Sequence, residues 1–228
     1  MLCSIGRYGE RVNAPQSAAP FVSRAGSKLA HALDEFGFDV AGLTCADFGC
    51  NVGGFTDCLL QRGAARVFAI DTGYGALAWK LRSDPRVVVM ERTNALHAKP
   101  AVVTIQVAAR ETAVGVDLVA IDLAWTPQRR AIPAALRWLA SSGPGRIISL
   151  IKPHYELSDH EKCTLLHDGW LDPTDAARVL ERVLADMPRL GAQPLAHVRS
   201  PISGGKSGRG RGGQGNVEFL VLLKRWGS

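Results

Sequence analysis

Long apolar runs are absent from this 228-residue sequence, and none approaches the roughly 20 residues that a membrane-spanning helix requires. Residues Met1 to Pro20 lack the continuous apolar core of a signal peptide and are predicted to form a loose tail. The five cysteines form no Cys-x-x-Cys pair, which excludes the usual zinc spacing, so no metal site is predicted. Because no export signal accompanies them, we expect reduced thiols in a cytoplasmic protein, with Cys45 and Cys58 in the core.

Internal repeats and a second domain are also missing. The length therefore predicts the tail, residues 1–20, followed by one α/β domain over residues 21–228. A hydrophobic fraction of 46% is typical of a globular chain and argues against wholesale disorder.

Positive charge is in excess: the formal net charge is +6 and the sequence isoelectric point is about 9.3. This balance favours a polyanionic partner, RNA or DNA, although a merely soluble basic surface would carry the same charge. The segment from Gly204 to Asn216 is rich in glycine and carries Lys206, Arg209 and Arg211. Such segments contact nucleic-acid phosphates, but a plain hairpin loop has a similar composition, and both interpretations stay open.

The stretch from Leu43 to Leu60 predicts a buried strand, a glycine turn and the start of a helix. Gly49, Gly53 and Gly54 let the backbone bend sharply and leave room for a ligand against it. The next predicted strand ends in Asp71, about twenty residues beyond the turn, where an acid can hydrogen-bond ribose hydroxyls. This combination predicts a nucleotide-type site at the first crossover of a doubly wound α/β domain.

Alternating strands and helices extend this pattern along the chain. Strands are predicted at 44–49, 66–71, 87–92, 116–122 and 145–153, with a final hairpin at 195–200 and 217–223. Helices are predicted at 21–36, 55–62, 76–82, 126–140 and 172–191, with Thr126 and Asp172 as N-caps and Pro127 and Pro173 at the first helical position. Between 95 and 115 a helix and a strand at 102–107 both fit.

Charged side chains end several of these strands. Because parallel strands have their carboxyl ends at one rim of the sheet, we expect Asp71, Asp122 and Lys152 to lie there together. The first helix could bring Lys28 to the same rim, and the final hairpin could bring Glu218. Two lysines and two carboxylates in one cleft would compensate one another, and such an arrangement can bring one lysine towards neutrality, as a general base requires.

These residues lie in stretches that resemble the FtsJ-like (RrmJ-type) ribose 2′-O-methyltransferases of RNA, most closely the hemolysin A-type (TlyA-like) branch. The matching stretches are Ser23-Arg-Ala-Gly-Ser-Lys-Leu29, Asp47 to Val67, Gly73 to Leu81, Glu91-Arg-Thr-Asn94, Ile151-Lys-Pro153 and Gly215-Asn-Val-Glu-Phe219. The resemblance implies a doubly wound, Rossmann-like fold of S-adenosylmethionine-dependent methyltransferases, with a mostly parallel seven-stranded sheet and a C-terminal antiparallel hairpin.

The resemblance also implies the site and its cofactor, S-adenosylmethionine. A catalytic tetrad would comprise Lys28, Asp122, Lys152 and Glu218, with Lys152 as general base for a ribose 2′-OH and Asp122 orienting it. The cofactor would lie against Gly49, Gly53, Phe55, Asp71, Asn94 and Asp122. RNA, with rRNA as the expected substrate, would contact Arg24, Lys206, Arg209 and Arg211.

Two departures from the family pattern affect RNA recognition. An S4-like RNA-binding domain usually precedes the catalytic part, whereas only the tail does here, so RNA capture would rely on the catalytic domain, its loop or a helper RNA-binding protein. After Asp122 the family continues Ser-Phe-Ile-Ser, but this chain has Leu123-Ala-Trp-Thr-Pro127, which changes the wall beside the acid. The rival functions are a non-catalytic S-adenosylmethionine- or RNA-binding module, and a nicotinamide-dependent oxidoreductase, which the Gly-x-x-x-Gly-Gly spacing disfavours. The oligomeric state is not predicted.

Overall fold

The computed structural model describes residues 20–99, 115–141, 143, 145–204 and 215–227. The predicted tail up to residue 19 and most of the undecided segment between 95 and 115 lie outside the described residues. The same is true of Lys206, Arg209 and Arg211.

The strands of the described chain form one large sheet and one small hairpin. They are β1 (Thr44–Phe48), β2 (Arg66–Ile70), β3 (Val87–Met90), β4 (Leu118–Ile121), β5 (Arg146–Ile151), β6 (Leu166–His167), β7 (Trp170–Leu171), β8 (Ala192–Arg199) and β9 (Phe219–Arg225). In the described residues the large sheet has seven strands in the order β3-β2-β1-β4-β5-β9-β8, and β6 pairs with β7 separately. The pairs from β3 to β5 are parallel, whereas β9 runs antiparallel to both β5 and β8. The predicted mostly parallel sheet with a C-terminal antiparallel hairpin is confirmed.

The helices are α1 (Ala25–Phe36), α2 (Gly54–Gln61), α3 (Trp79–Arg82), α4 (Gln128–Leu136), α5 (Asp159–Leu165) and α6 (Pro173–Asp186). Alternate residues of each strand face opposite sides of the sheet, so apolar cores form on both faces. Side chains of α1 and α2 pack with one face, where Cys45 and Cys58 are fully buried as predicted. Side chains of α4 and α6 pack with the other, where Trp138 meets Phe48 edge-on at 5.5 Å.

Helix α4 begins differently from the prediction. Pro127 occupies the N-cap position rather than the first helical position, and the Thr126 hydroxyl donates to the carbonyl of Ala124 instead of capping. The N–H of Gln128 is satisfied from outside, by the carboxylate of Glu156 at 2.9 Å. The N-cap expected at Thr126 is therefore wrong, because an acceptor distant in the sequence takes its place.

Two other helices are shorter than predicted, and a third was not predicted. The helix predicted at 21–36 begins at Ala25, and the helix predicted at 76–82 is reduced to the single turn α3. Helix α5 was not predicted, although Ser158 and Glu161 form a capping box at its start. The cap of α6 agrees with prediction: Asp172 accepts the N–H of Thr174, and Pro173 is the first helical residue. No helix of the described residues is long and apolar enough to cross a membrane.

Candidate active site

The glycine turn between β1 and α2 brings the backbone close to the end of β4. Gly49 has φ +89°, a conformation that L-residues rarely adopt, and its N–H donates to the carbonyl of Ile70 at 2.9 Å. A Cβ atom at Gly49 would lie 2.6 Å from the carbonyl oxygen of Asp122. Gly53, at φ +102°, is the N-cap of α2, where a Cβ would lie 2.3 Å from a methyl carbon of Leu81. Gly49 is therefore required by the close approach of the Asp122 backbone and Gly53 by its positive φ, and only Gly49 lines the cleft described next.

A cleft of about 720 Å³ lies at the carboxyl ends of β1, β2 and β4. Its walls include five of the six residues predicted to hold the cofactor: Gly49, Phe55, Asp71, Asn94 and Asp122. This is the position at which open α/β sheets bind their ligands. The volume lies within the range of small-molecule sites, so a ligand of nucleoside size fits it.

Asp71 organises one rim of this cleft. One carboxylate oxygen accepts the N–H of Asn51 at 2.9 Å and the other accepts the N–H of Gly73 at 2.7 Å. An ionised carboxylate can accept about four hydrogen bonds, so two acceptor sites remain for a pair of ribose hydroxyls. Also lining the cleft, the side-chain oxygen of Asn94 accepts the N–H of Leu96 at 3.0 Å, which leaves the amide NH₂ of Asn94 to donate to a base.

Beneath the turn, Asp47 is a buried acid to which the sequence assigned no role. One of its oxygens accepts the N–H and the hydroxyl of Thr56, at 2.9 and 2.7 Å, and so ties β1 to the first turn of α2. The other oxygen is buried without a hydrogen-bond partner in the described part of the chain. Burial raises the pKa of Asp47 to about 7.

Two ion pairs lie beside the cleft, of which Lys28–Glu218 is buried and Lys152–Asp122 is partly buried. The Nζ atom of Lys152 donates to Asp122 at 2.6 Å, and the Nζ atom of Lys28 donates to Glu218 at 2.5 Å. These four side chains come from α1, the end of β4, the end of β5 and the start of β9. They all line a second, smaller cavity of about 160 Å³, which adjoins the cleft at Asp122 and Lys152. The fold thus brings together the four residues of the predicted tetrad.

The protonation of Lys152 differs from the expectation of a lysine moved towards neutrality. Burial acts to lower the pKa of Lys152, but the carboxylate of Asp122, helped by Glu218, outweighs it. The net pKa of Lys152 lies above its ordinary value, because each carboxylate favours the charged ammonium. Lys152 is therefore held as an ammonium and is not moved towards neutrality.

Aromatic side chains near Lys152 were not identified from the sequence as part of the site. Trp125 is 75% exposed, has φ +57°, and stacks at 4.9 Å on the ring of Tyr155. Trp125 lines the cleft, and Tyr155 lines the smaller cavity together with His154. Burial lowers the pKa of His154 to about 4, so this side chain is neutral at physiological pH. The signal available in the sequence was the stretch Lys152-Pro-His-Tyr155, in which a cation and two rings follow the apolar strand β5.

The two end residues of the Gly204–Asn216 segment line the smaller cavity together with the four residues of the predicted tetrad. The N–H of Gly204 donates to the carbonyl of Asn216 at 2.9 Å, and the Asn216 side chain bonds to Gly169 and Leu171 in the β6–β7 hairpin. A Cβ at Gly204 would lie 2.7 Å from Glu218. Asn216 was noticed only as part of a matching motif, and the structure shows that it anchors the strand that carries Glu218.

Comparison with known proteins identifies the fold and the family. The family model described as FtsJ-like methyltransferase matches residues 21–209. The chain belongs to the FtsJ-like methyltransferase family. Its cofactor is accordingly S-adenosylmethionine, as predicted, and the alternative of a nicotinamide-dependent oxidoreductase is not supported.

Relatives of this FtsJ-like methyltransferase include the 16S/23S rRNA (cytidine-2′-O)-methyltransferase TlyA of Mycobacterium tuberculosis, 38% identical over 91% of this chain and 70% of that protein. Hemolysin A of Brachyspira hyodysenteriae is 31% identical over 88% of this chain and 75% of that protein. A solved structure from Streptococcus thermophilus, of a protein provisionally named a hemolysin, has a TM-score of 0.78 at 32% identity. The match covers 93% of this chain and 70% of the chain in that structure. The N-methyltransferase NodS of Bradyrhizobium japonicum, solved with S-adenosyl-L-homocysteine, shares the fold at a TM-score of 0.54 and 15% identity.

Proposed function

We propose that this protein methylates the 2′-oxygen of a ribose in rRNA, with Lys152 as the general base. The observation that carries this proposal is the cavity in which Lys28, Asp122, Lys152 and Glu218 meet, beside the larger cleft. The names of the related TlyA proteins, as rRNA cytidine-2′-O-methyltransferases, support the same substrate and the same acceptor atom.

The larger cleft suits the cofactor and the smaller cavity suits the acceptor ribose. Asp71 would accept hydrogen bonds from the cofactor's ribose hydroxyls, Asn94 would donate to its base, and Gly49 would let its chain lie against the backbone. When bound, S-adenosylmethionine supplies an activated methyl group on a positively charged sulfur. Because Asp122 and Lys152 line both spaces, the acceptor oxygen and the methyl group would meet beside them.

Lys152 would accept the proton of the 2′-OH as that oxygen forms its bond to the methyl carbon, while the bond from this carbon to sulfur breaks and S-adenosyl-L-homocysteine would leave. Asp122 holds the Nζ atom of Lys152 in place through the 2.6 Å hydrogen bond. Since the carboxylates raise the pKa of Lys152, its ammonium must release a proton before it can accept one. Lys28 and Glu218, held to each other, would position the ribose. Alignment of the oxygen with the methyl group would supply much of the rate enhancement.

RNA capture is proposed to involve the exposed Arg24, beside the cleft residue Ser23, together with Lys206, Arg209 and Arg211 and a helper RNA-binding protein. The exposed Trp125 offers a ring on which a base can stack, next to Lys152. We place the reaction in the cytoplasm, where rRNA is found. The unpaired thiols of Cys45 and Cys58 agree with a reducing compartment.

Methyl transfer from labelled S-adenosylmethionine to ribosomal subunits and to free rRNA tests this proposal. The products should resist alkaline hydrolysis at the methylated nucleotide, because that cleavage needs a free 2′-OH. Lys152→Ala should lower kcat by about 10²- to 10⁴-fold, the usual contribution of general base catalysis, while cofactor binding persists.

Lys162→Ala is the matched control, because Lys162 also pairs with an aspartate, Asp159, but on the exposed face of α5. Full transfer by Lys152→Ala would refute the base assignment. Cofactor binding by the wild-type protein without transfer to any RNA would establish the rival reading, a non-catalytic binding module.

A further inference from the structure

Gln128, the first residue of α4, is held at two points by the segment that carries Lys152. Its side-chain oxygen accepts the hydroxyl hydrogen of Ser149 at 2.7 Å, and its backbone N–H donates to the Glu156 carboxylate at 2.9 Å. Ser149 precedes Lys152 in the chain and Glu156 follows it. Gln128 in turn is joined to Asp122 by the short segment 123–127. The two hydrogen bonds therefore join the segments that carry the ion pair of Asp122 and Lys152.

Glu156 lies outside both catalytic spaces. It lines a different surface cavity, of about 580 Å³, together with Arg129, Arg182 and Asp186. Burial raises the pKa of Glu156 to about 7, while the Gln128 N–H and the charges of Arg129 and Arg182 act to lower it. Its carboxyl group therefore does not touch the substrate or the cofactor, and any effect on the reaction must act through the residues that it holds.

We propose that Glu156 is a positioning residue, which by accepting the N–H of Gln128 fixes the turn after Asp122 against the loop after Lys152. The inference rests on the proposed function and adds to it a residue outside the tetrad. The hydrogen bond holds the Nζ atom of Lys152 against Asp122, and it holds the ring of Trp125 against that of Tyr155.

The turn after Asp122 needs such a restraint. Trp125 has φ +57°, and a bulky residue keeps a left-handed conformation only where its surroundings determine it strongly. The stacking of Trp125 on Tyr155 and the Gln128–Glu156 hydrogen bond both connect this turn to the same loop. Without the Gln128–Glu156 hydrogen bond, the turn loses one of these two connections, the one at the end that continues into α4.

Two substitutions separate positioning from simple packing. Glu156→Leu removes the acceptor, and we expect kcat for methyl transfer to fall about 10- to 100-fold, the range that a displacement on the order of 1 Å in an active site produces. The KM for S-adenosylmethionine should remain near that of the wild type, since Asp71 and Asn94, which would hold its ribose and base, lie on segments that Glu156 does not contact. Glu156→Gln keeps an acceptor oxygen for the Gln128 N–H, and we expect it to restore kcat to within about threefold of the wild type.

Asp186→Asn is the control, because it removes a carboxylate from the same surface cavity without touching either catalytic segment. Hydrogen–deuterium exchange over residues 124–130, measured without substrate, should increase in Glu156→Leu and not in Glu156→Gln. Unchanged kcat in Glu156→Leu would overturn the inference, as would an equal loss in Glu156→Gln or in Asp186→Asn. If the wild type transfers no methyl group, the proposed function fails, while the exchange experiment still decides whether Glu156 holds the turn.

Discussion

Replacing Asp71 by alanine should weaken the binding of S-adenosylmethionine by about two orders of magnitude. In the structure, Asp71 accepts one N–H from Asn51 and one from Gly73, which leaves two of its about four acceptor sites for ribose hydroxyls. A hydrogen bond to a charged group contributes at least about 1.5 kcal/mol, so the loss of two amounts to about 3 kcal/mol. That free energy corresponds to an increase of about 150-fold in Kd.

Isothermal titration calorimetry with S-adenosylmethionine and with S-adenosyl-L-homocysteine measures this effect directly. Asp39→Ala is a close control: an oxygen of Asp39 accepts the N–H of Ala41, two residues on, as Asp71 does with Gly73. Asp39 is exposed and lies outside the cleft, so its replacement should leave Kd unchanged. A Kd for Asp71→Ala within about threefold of the wild type, or equal weakening by Asp39→Ala, would refute the assignment of the ribose site.

Two further predictions concern pH. Because the neighbouring carboxylates raise the pKa of Lys152, kcat should rise by about tenfold per pH unit while the lysine stays mostly charged, and a flat profile between about pH 7 and 9 would contradict a lysine base. Asp47 has its pKa raised from 3.8 to about 7 in the folded state, so its contribution to stability is complete below about pH 4 and is lost as the pH rises to about 7. Asp47→Asn, an isosteric change, should therefore have a higher free energy of unfolding in urea than the wild type above pH 7, by about 4 kcal/mol, with little difference near pH 4. An equal difference at both pH values would mean that Asp47 does not titrate as described.

The strands and the glycine turn could be predicted from the sequence because their determinants are local. A parallel strand buried on both faces is a nearly continuous apolar run. From Val67 onwards β2 is such a run, as is the whole of β4, and each is followed by an aspartate, whereas β1 and β5 are each interrupted by one buried polar residue, Asp47 and Ser149. The start of α4 could not be predicted in this way. Its acceptor is the carboxylate of Glu156, which lies 28 residues further along the chain.

The tetrad was recognisable from motif stretches, but its electrostatics were not. Whether a buried lysine is neutral depends on distances to carboxylates, and the 2.6 Å contact from Lys152 to Asp122 outweighs burial. The role of Trp125 was also hidden, since the sequence shows a changed residue beside Asp122 but not its left-handed backbone or its stacking on Tyr155. These features arise from tertiary contacts that no short pattern encodes.

The two described ends of the Gly204–Asn216 segment meet beside Glu218, a residue of the proposed tetrad. Gly204 and Asn216 are hydrogen-bonded to each other, and a Cβ at Gly215 would lie 1.7 Å from the Gly204 oxygen, so the two stems are in direct contact. Lengthening a loop whose ends are already joined has a small entropic cost. A fluorescent tag or a folded module could therefore be inserted between Gly204 and Gly215 without rebuilding the position of Glu218.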